Sequence, residues 1–447
     1  MQWDIEAWCQ CLTFQIKGED DVSLEIEQAL DTTYVMPTFG RSPVEFVHGD
    51  GMRLTDSEGR EYLDFLAGIG VCSLGHGHPA LMQALEAQVP KLLHVSNYYY
   101  VEHRGAVAAL LSKLANNDDV GARRLAQSIR TGDEAKLAAA AKPAAGEEVW
   151  QTFFANSGAE ANECSMKLAR LYAKRAGNGG NTIVCLRGGF HGRTLETLAA
   201  TMQDRLQDSF RPLPGGFVAC TPNDVDELRQ IFGALGGEIC AVMIEPIQGE
   251  SGVHPLDAAF VQAAADLVHG VGGVLISDEV QAGIFRCGAP FAIQLTGVEA
   301  DIMSLAKGIA GGVPMGACVA RAEIAGVFRP GDHGTTFGGS CLAVAAAEAV
   351  LCELVLGGYA ERAREVGAYL AERLATLSHV TEVRGAGLMR GCDLDEAVGD
   401  AHDVVARALE AGAVINATGA HTLRFLPPLI CANDDVDALV GVLERVL

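Results

Sequence analysis

Apolar and polar positions along the chain change rhythm several times, and each change predicts a different kind of element. From Val44 the pattern V-E-F-V-H-G-D-G-M-R-L-T-D-S-E-G-R-E-Y-L-D-F alternates, with turns at Asp50-Gly51 and Glu58-Gly59. It predicts a small antiparallel meander. Pro79 opens a helix through Leu81, Leu85 and Val89. From Val149 onward short apolar runs alternate with helical stretches, with strands predicted at 149–155, 182–186, 240–245, 273–277, 302–305 and 315–319. Each run ends in glycine-rich or polar turn residues, the pattern of a mostly parallel sheet covered by helices. The last part starts with a long helix near Leu342. Short strands follow around Val380–Met389 and Thr422–Phe425, with amphipathic helices near 400–411 and 434–446.

The expected organisation is α/β: a large, mostly parallel sheet domain and a smaller α+β domain. Residues 1–33 form an acidic, weakly patterned extension. Residues 34–95 and 341–447 make up the smaller domain, and 96–340 the larger one. Within the latter, 117–148 is polar or alanine-rich without a sustained apolar face, and is expected to be a surface insertion or a lid.

Composition narrows the function classes. The 447 residues carry a formal net charge of -24 and no basic stripe, which disfavours nucleic acid and anionic membranes as partners. The apolar stretch Leu342–Leu356 is interrupted by Glu348 and Glu353, so an amphipathic helix is expected there and not a membrane span. The opening M-Q-W-D-I-E-A-W lacks a basic region before an apolar core, so a cytoplasmic protein is expected. Thirteen scattered cysteines contain no C-x-x-C, which points to buried core thiols and not to a zinc site or disulfide framework. His76 and His78, two apart on a loop, are expected to belong to a turn, with no metal site.

Candidate chemistry gathers where predicted strands end, the place where ligands bind in such sheets. Asp278, with Glu279, Val280 and Gln281 after it, closes G-G-V-L-I-S. A carboxylate there needs a positive partner, either an arginine or a protonated ring nitrogen. Lys307 follows another apolar strand, and a buried lysine that sheds its charge can form an imine with an aldehyde. Pyridoxal phosphate needs both groups. Asn156-Ser157-Gly158-Ala159-Glu160 opens a helix, either as a plain N-cap or as a phosphate seat. Phe190 and Arg193 flank His191 after a glycine turn and could stack on a ring and grip a carboxylate. Glu245 and Glu250 bracket a Pro/Gly turn. His333-Gly-Thr335-Thr336 offers hydroxyls and free amides for a second phosphate contact.

Taken together, these stretches resemble the class III pyridoxal-phosphate aminotransferases, most of all the acetylornithine branch. The resemblance runs from about Val35 to the C-terminus. It is carried by D-F-L-A-G-I-G-V, L-G-H-G-H-P, N-S-G-A-E-A-N-E, G-G-F-H-G-R-T, E-P-I-Q-G-E-S-G-V, D-E-V-Q-A-G, L-A-K-G-I-A-G-G-V-P-M-G-A, H-G-T-T-F-G-G and L-R-F-L-P-P-L-I. It implies the type I fold of pyridoxal-phosphate transferases and a homodimer with shared active sites. Lys307 would hold the cofactor and move the proton between Cα and C4′, and Asp278 would pair with the ring nitrogen. Gln281 would lie near the phenolic oxygen, Phe190 would stack on the ring, and Gly158 and Ala159 would bind phosphate, with Thr336 of the neighbouring subunit. Ser157, His191, Glu245, Glu279 and Val280 lie in the same motifs and are counted with the cofactor contacts.

The resemblance assigns Arg193, Thr335 and Arg424 to substrate. Arg424 would take the α-carboxylate of 2-oxoglutarate, and Glu250 would pair with it when that carboxylate is absent. The implied reaction moves the terminal amino group of N2-acetylornithine to 2-oxoglutarate, as in arginine biosynthesis. The rival donors are 4-aminobutyrate, ornithine, succinylornithine and succinyldiaminopimelate, and an aminomutase, a decarboxylase or a non-catalytic binding protein would share the scaffold. Thr335 stands where serine is common in the branch and Cys72 where asparagine is common. Ile69 replaces a tyrosine of ornithine aminotransferases, which favours an acylated donor.

Overall fold

The computed structural model describes residues 24–176 and 178–447. Most of the extension predicted at 1–33 therefore lies outside the described residues, and its last part is the helix Leu24–Tyr34, which buries no side chain. The predicted meander is present as β1 (Phe46–Asp50), β2 (Arg53–Asp56) and β3 (Glu61–Asp64), paired antiparallel in sequence order. Its second turn is tied by Asp56. Oδ1 of Asp56 accepts the N–H groups of Glu58 and Arg60 at 3.0 and 2.8 Å, and Oδ2 accepts the Tyr62 hydroxyl at 2.8 Å.

The central sheet holds seven strands: β4 (Trp150–Ala155), β5 (Thr182–Leu186), β6 (Phe217–Cys220), β7 (Ile239–Ile244), β10 (Val274–Asp278), β11 (Ile302–Leu305) and β12 (Gly316–Arg321). Between β7 and β10 lies a two-stranded hairpin of β8 (Ile247–Gln248) and β9 (His254–Pro255). The spatial order of the large sheet is β4-β12-β11-β10-β7-β5-β6. From β11 to β6 every neighbouring pair is parallel, whereas β12 runs antiparallel to both β11 and β4. β5, β7 and β10 are buried at every position, as their mostly apolar composition requires when helices cover both faces. The edge strand β6 was not anticipated, since four residues of mixed burial give too little periodicity to read.

The expectation for 117–148 is corrected. The helix Asp119–Thr131 carries an apolar stripe of Ala122, Leu125, Ala126 and Ile129, all buried, at the i, i+3, i+4, i+7 spacing of a core helix. It packs on the helix Cys341–Leu356, and its first turn is capped by Asp118, whose Oδ1 accepts the Gly121 N–H at 2.8 Å. Half the stripe is alanine, and Arg123 and Arg124 interrupt it, so bulk alone hid the face. The following helix Glu134–Ala141 buries nothing.

Beyond Cys341–Leu356 and Tyr359–Leu374, β13 (Val380–Ala386), β14 (Met389–Leu394), β16 (Asn416–Ala417) and β17 (Thr422–Phe425) form a sheet in the order β13-β14-β17-β16. β15 (Ala413–Val414) pairs in parallel with β3, joining the end of the chain to the N-terminal meander.

Leu125→Ala is expected to lower unfolding stability by about 2–5 kcal/mol, the usual range for a large-to-small change in a packed core. Val120→Ala, at a position 69% exposed on the same helix, should stay within about 0.5 kcal/mol of the parent. Denaturant titration of both variants measures the difference.

Candidate active site

A cavity of about 400 Å³ opens at the carboxyl ends of the central strands. Leaving β4, the chain passes Asn156 and Ser157 and enters the helix Gly158–Ala176. Ser157 Oγ accepts the Glu160 N–H at 3.2 Å, and Glu160 Oε2 reaches back to Asn156 N at 2.7 Å. The N-terminus of a long helix thus points its free amides at the cavity, an arrangement suited to a phosphate. Gly158 is required here because a Cβ would lie 2.7 Å from Val280 Cγ1.

Two ionisable side chains define the opposite wall. Asp278, the last residue of β10, is buried and accepts Asn162 Nδ2 and His191 Nδ1, both at 2.7 Å. Lys307 follows β11 with φ +43°, a left-handed backbone rare for a residue with a side chain. Ser73 Oγ holds this bend by donating to the Gly308 carbonyl at 3.0 Å, and a Cβ on Gly308 would fall 2.5 Å from that hydroxyl. Burial holds the Lys307 ammonium below the usual lysine range. The Arg424 guanidinium adds to this, while Glu250, Asp278 and Glu245 pull the other way.

Phe190 lies between the two walls. Its N–H donates to Glu245 Oε2 at 2.8 Å, and the Arg193 guanidinium sits 5.5 Å from its ring centre. Burial raises the Glu245 carboxyl, and Asp278 adds to the rise, whereas His191 opposes it. Beside the cavity, Arg424 is buried and makes a closed knot. Its Nη1 donates to Glu250 Oε1 at 2.6 Å and to Gln281 Oε1 at 3.0 Å, while Gln281 Nε2 donates to the same Glu250 oxygen at 3.0 Å. Despite its burial, Glu250 is held below the usual carboxyl range by Arg424, Lys307 and Gln281.

Of the residues singled out in the sequence, Ser157, Gly158, Ala159, Phe190, His191, Arg193, Glu245, Asp278, Val280, Gln281 and Lys307 line this one cavity. Glu250 and Arg424 adjoin it through Gln281. Glu279 does not line it. Successive residues at the end of a strand point to opposite faces, and Glu279 turns away to accept the N–H groups of Ala292 and Ile293 at 2.7 and 2.8 Å and the Ser277 hydroxyl at 2.9 Å. Its expected place among the cofactor contacts is therefore corrected. Burial pushes its carboxyl up to about 7. Thr335 and Thr336 also stand outside the cavity lining. Thr335 Oγ1 accepts Asn156 Nδ2 at 3.1 Å, and Thr336 is exposed.

Asn162 was missed as a functional residue. It sits one turn beyond Gly158 on the same helix face, and a polar residue at that spacing on a buried stripe was the available signal. Its Oδ1 is buried with no partner among the described residues. The residues present fit pyridoxal phosphate. There is a helix N-terminus for the phosphate, an aromatic and a valine for the two ring faces, a buried carboxylate for a ring N–H, and an amine with its charge suppressed.

Comparison with known proteins agrees with this donor set. The chain belongs to the class-III aminotransferase family, whose model matches residues 38–447. It is 42% identical to acetylornithine aminotransferase 1 of Bordetella bronchiseptica, over 91% of this chain and 95% of that protein. It is 41% identical to the acetylornithine aminotransferase of Methanocaldococcus jannaschii, over 93% and 96%. Among solved structures, an ornithine aminotransferase of Toxoplasma gondii superposes with a TM-score of 0.82 at 27% identity, covering 100% of this chain and 97% of that one. The N-acetylornithine aminotransferase of Stenotrophomonas maltophilia gives 0.74 at 30%, covering 94% and 97%. The protein is thus an enzyme that uses pyridoxal phosphate, with the type I transferase fold.

Glu279→Gln should leave cofactor affinity unchanged but lower stability by about 1–3 kcal/mol, because the amide faces a backbone N–H with another donor. Spectroscopic cofactor titration and thermal melts of one sample report both.

Proposed function

We propose that the protein transfers the terminal amino group of N2-acetylornithine to 2-oxoglutarate, giving N-acetylglutamate 5-semialdehyde and glutamate. The observation that carries this reading is the Arg424–Glu250–Gln281 knot beside Lys307, in a chain whose relatives at about 40% identity include acetylornithine aminotransferases. A donor with one free amine brings no second carboxylate to Arg424, and Glu250 stays paired with it. When 2-oxoglutarate enters, its α-carboxylate takes the guanidinium and Glu250 moves aside. One pocket thereby accepts two substrates of different charge without leaving a buried arginine unpaired.

When bound, pyridoxal phosphate supplies an electron sink for the substrate carbon that loses its proton. The chain supplies the rest. Asp278 would hold a proton on the ring nitrogen, and Phe190 and Val280 would confine the ring. Ser157, Gly158 and Ala159 present the helix N-terminus to the phosphate. The Lys307 amine, whose charge burial disfavours, would take the proton from the substrate carbon and return it on the other side of the reaction. Arg193, exposed at the rim, is placed for the carboxylate of the donor.

The active unit is a homodimer in this reading. Tyr98, Tyr100 and Phe337 are 92%, 102% and 62% exposed, and Asn97 beside Tyr98 donates to the Thr335 carbonyl at 3.0 Å, so this apolar surface adjoins the loop that carries Thr335 and Thr336. Thr336 on such a loop would reach the phosphate of the partner subunit, which accounts for its place outside its own cavity, and Thr335 would meet substrate. A cytoplasmic location fits the described cysteines, which are all free. No single helix among the described residues is long and apolar enough to cross a membrane.

The likeness to the Toxoplasma ornithine aminotransferase favours ornithine as the second candidate donor. A panel of amines assayed with 2-oxoglutarate decides between the two. Acetylornithine is expected to give the highest kcat/KM, and an equal or better value for ornithine would overturn the choice of donor. Lys307→Ala is expected to abolish turnover, and borohydride should fix the cofactor on residue 307 of the parent alone. Arg424→Leu should slow the half-reaction with 2-oxoglutarate by roughly 10²–10³-fold, the loss that follows when one partner of a buried ion pair is removed. The half-reaction with the amine donor should change far less, as stopped-flow absorbance would show.

A further inference from the structure

β16 pairs antiparallel with β17 so that Asn416 stands directly opposite Arg424. Directly opposed residues project to the same face of a sheet, so the two side chains meet by register. Asn416 Oδ1 accepts Arg424 Nε at 3.0 Å. The short strand that carries Asn416 is fixed on both sides. Just before it, β15 pairs with β3, and just after it the Thr418 N–H donates to the Thr422 carbonyl at 2.9 Å.

A guanidinium has two edges on which a carboxylate can sit with two parallel hydrogen bonds: a side edge of Nε with Nη2, and an end edge of Nη1 with Nη2. In Arg424 the side edge is held at Nε by Asn416. Nη1 is shared among Glu250 Oε1 at 2.6 Å, Gln281 Oε1 at 3.0 Å and the Gly249 carbonyl at 3.1 Å. Among the described residues no acceptor reaches Nη2. Gln281 lines the active-site cavity and Asn416 does not, so Nη1 is the part of the group turned toward the site.

The acceptors also differ in kind. Glu250 is a partly exposed carboxylate, and an incoming carboxylate can replace it charge for charge. Asn416 offers a neutral amide, which leaves the charge of the arginine to whichever carboxylate is present. The bond at Nε therefore survives the exchange that removes Glu250, and it holds the plane of a guanidinium that is 1% exposed.

We infer that Asn416 is a positioning residue for the amino acceptor: it anchors the side edge of Arg424 and leaves the end edge as the two-point seat for the α-carboxylate that displaces Glu250. The inference rests on the role proposed above for Arg424 toward 2-oxoglutarate. Asn416 touches neither substrate nor cofactor and acts through the arginine alone.

The test is stopped-flow absorbance on the holoenzyme, with each half-reaction followed separately. Asn416→Ala removes the acceptor. It is expected to lower kcat/KM of the half-reaction with 2-oxoglutarate about 10- to 100-fold, the usual worth of a hydrogen bond to a charged group. The half-reaction with the amine donor should stay within about 3-fold of the parent, a split that a general loss of structure would not give. In an Arg424→Leu background, Asn416→Ala should cost no more than about 2-fold further, because two residues that act as one unit are not additive. Should Asn416→Ala fail to fold, Asn416→Ser is expected to show the same split, since its shorter side chain does not reach Nε. A parent-like half-reaction with 2-oxoglutarate would overturn the inference. So would an equal loss in both half-reactions, or the full loss recurring in the Arg424→Leu background. Arg424→Leu alone distinguishes the two levels. If it leaves the 2-oxoglutarate half-reaction unchanged, the role of Arg424 is refuted, and that of Asn416 with it. A slowed Arg424→Leu beside unaffected Asn416 variants would refute the positioning role alone.

Discussion

One cavity sets a carboxylate held by three donors opposite an amine whose charge burial disfavours, and the rest of the site is organised by that contrast. Asp278 and Lys307 leave neighbouring parallel strands, with Asp278 in register with Ser304. Burial penalises charge on both groups equally in kind. Asn162, His191 and Val280 all donate to Asp278. At Lys307 burial outweighs the pull of Glu250, Asp278 and Glu245, and the nearby Arg424 cation adds to the cost of its charge. Donors are concentrated at one end of the cavity and withheld from the other.

Much of this was legible in the amino-acid order. β5, β7 and β10 are mostly apolar runs, as strands buried on both faces are. Lys307, Asp278 and the Gly158 helix start follow such runs, so their convergence came from topology that the order of elements implies. What escaped had particular causes. β6 is too short for periodicity, and the stripe on Asp119–Thr131 is half alanine. Asp278 and Glu279 are adjacent acids that point to opposite sides. The sequence does not say which one faces the cavity, because the donors that settle it arrive from the distant segments at Asn162, His191 and Ala292–Ile293.

The Arg424 knot shows the same dependence on distant chain. β17 delivers the guanidinium to the turn that follows β7, where Glu250 and the Gly249 carbonyl receive it at 2.6 and 3.1 Å. Asn416 on β16 steadies the other edge of the group, accepting its Nε at 3.0 Å. A buried arginine with a removable carboxylate partner is costly to open unless a second carboxylate replaces the first, so the pair discriminates by charge and not by shape.

The bend at Lys307 is gripped from outside its own sheet, by a serine 235 positions earlier in the chain. A left-handed backbone at a non-glycine residue costs about 1–3 kcal/mol and persists only where its surroundings impose it. The backbone that aims the nucleophile is thus held in part by a residue of the N-terminal segment, so the geometry at Lys307 depends on contact between distant parts of the chain.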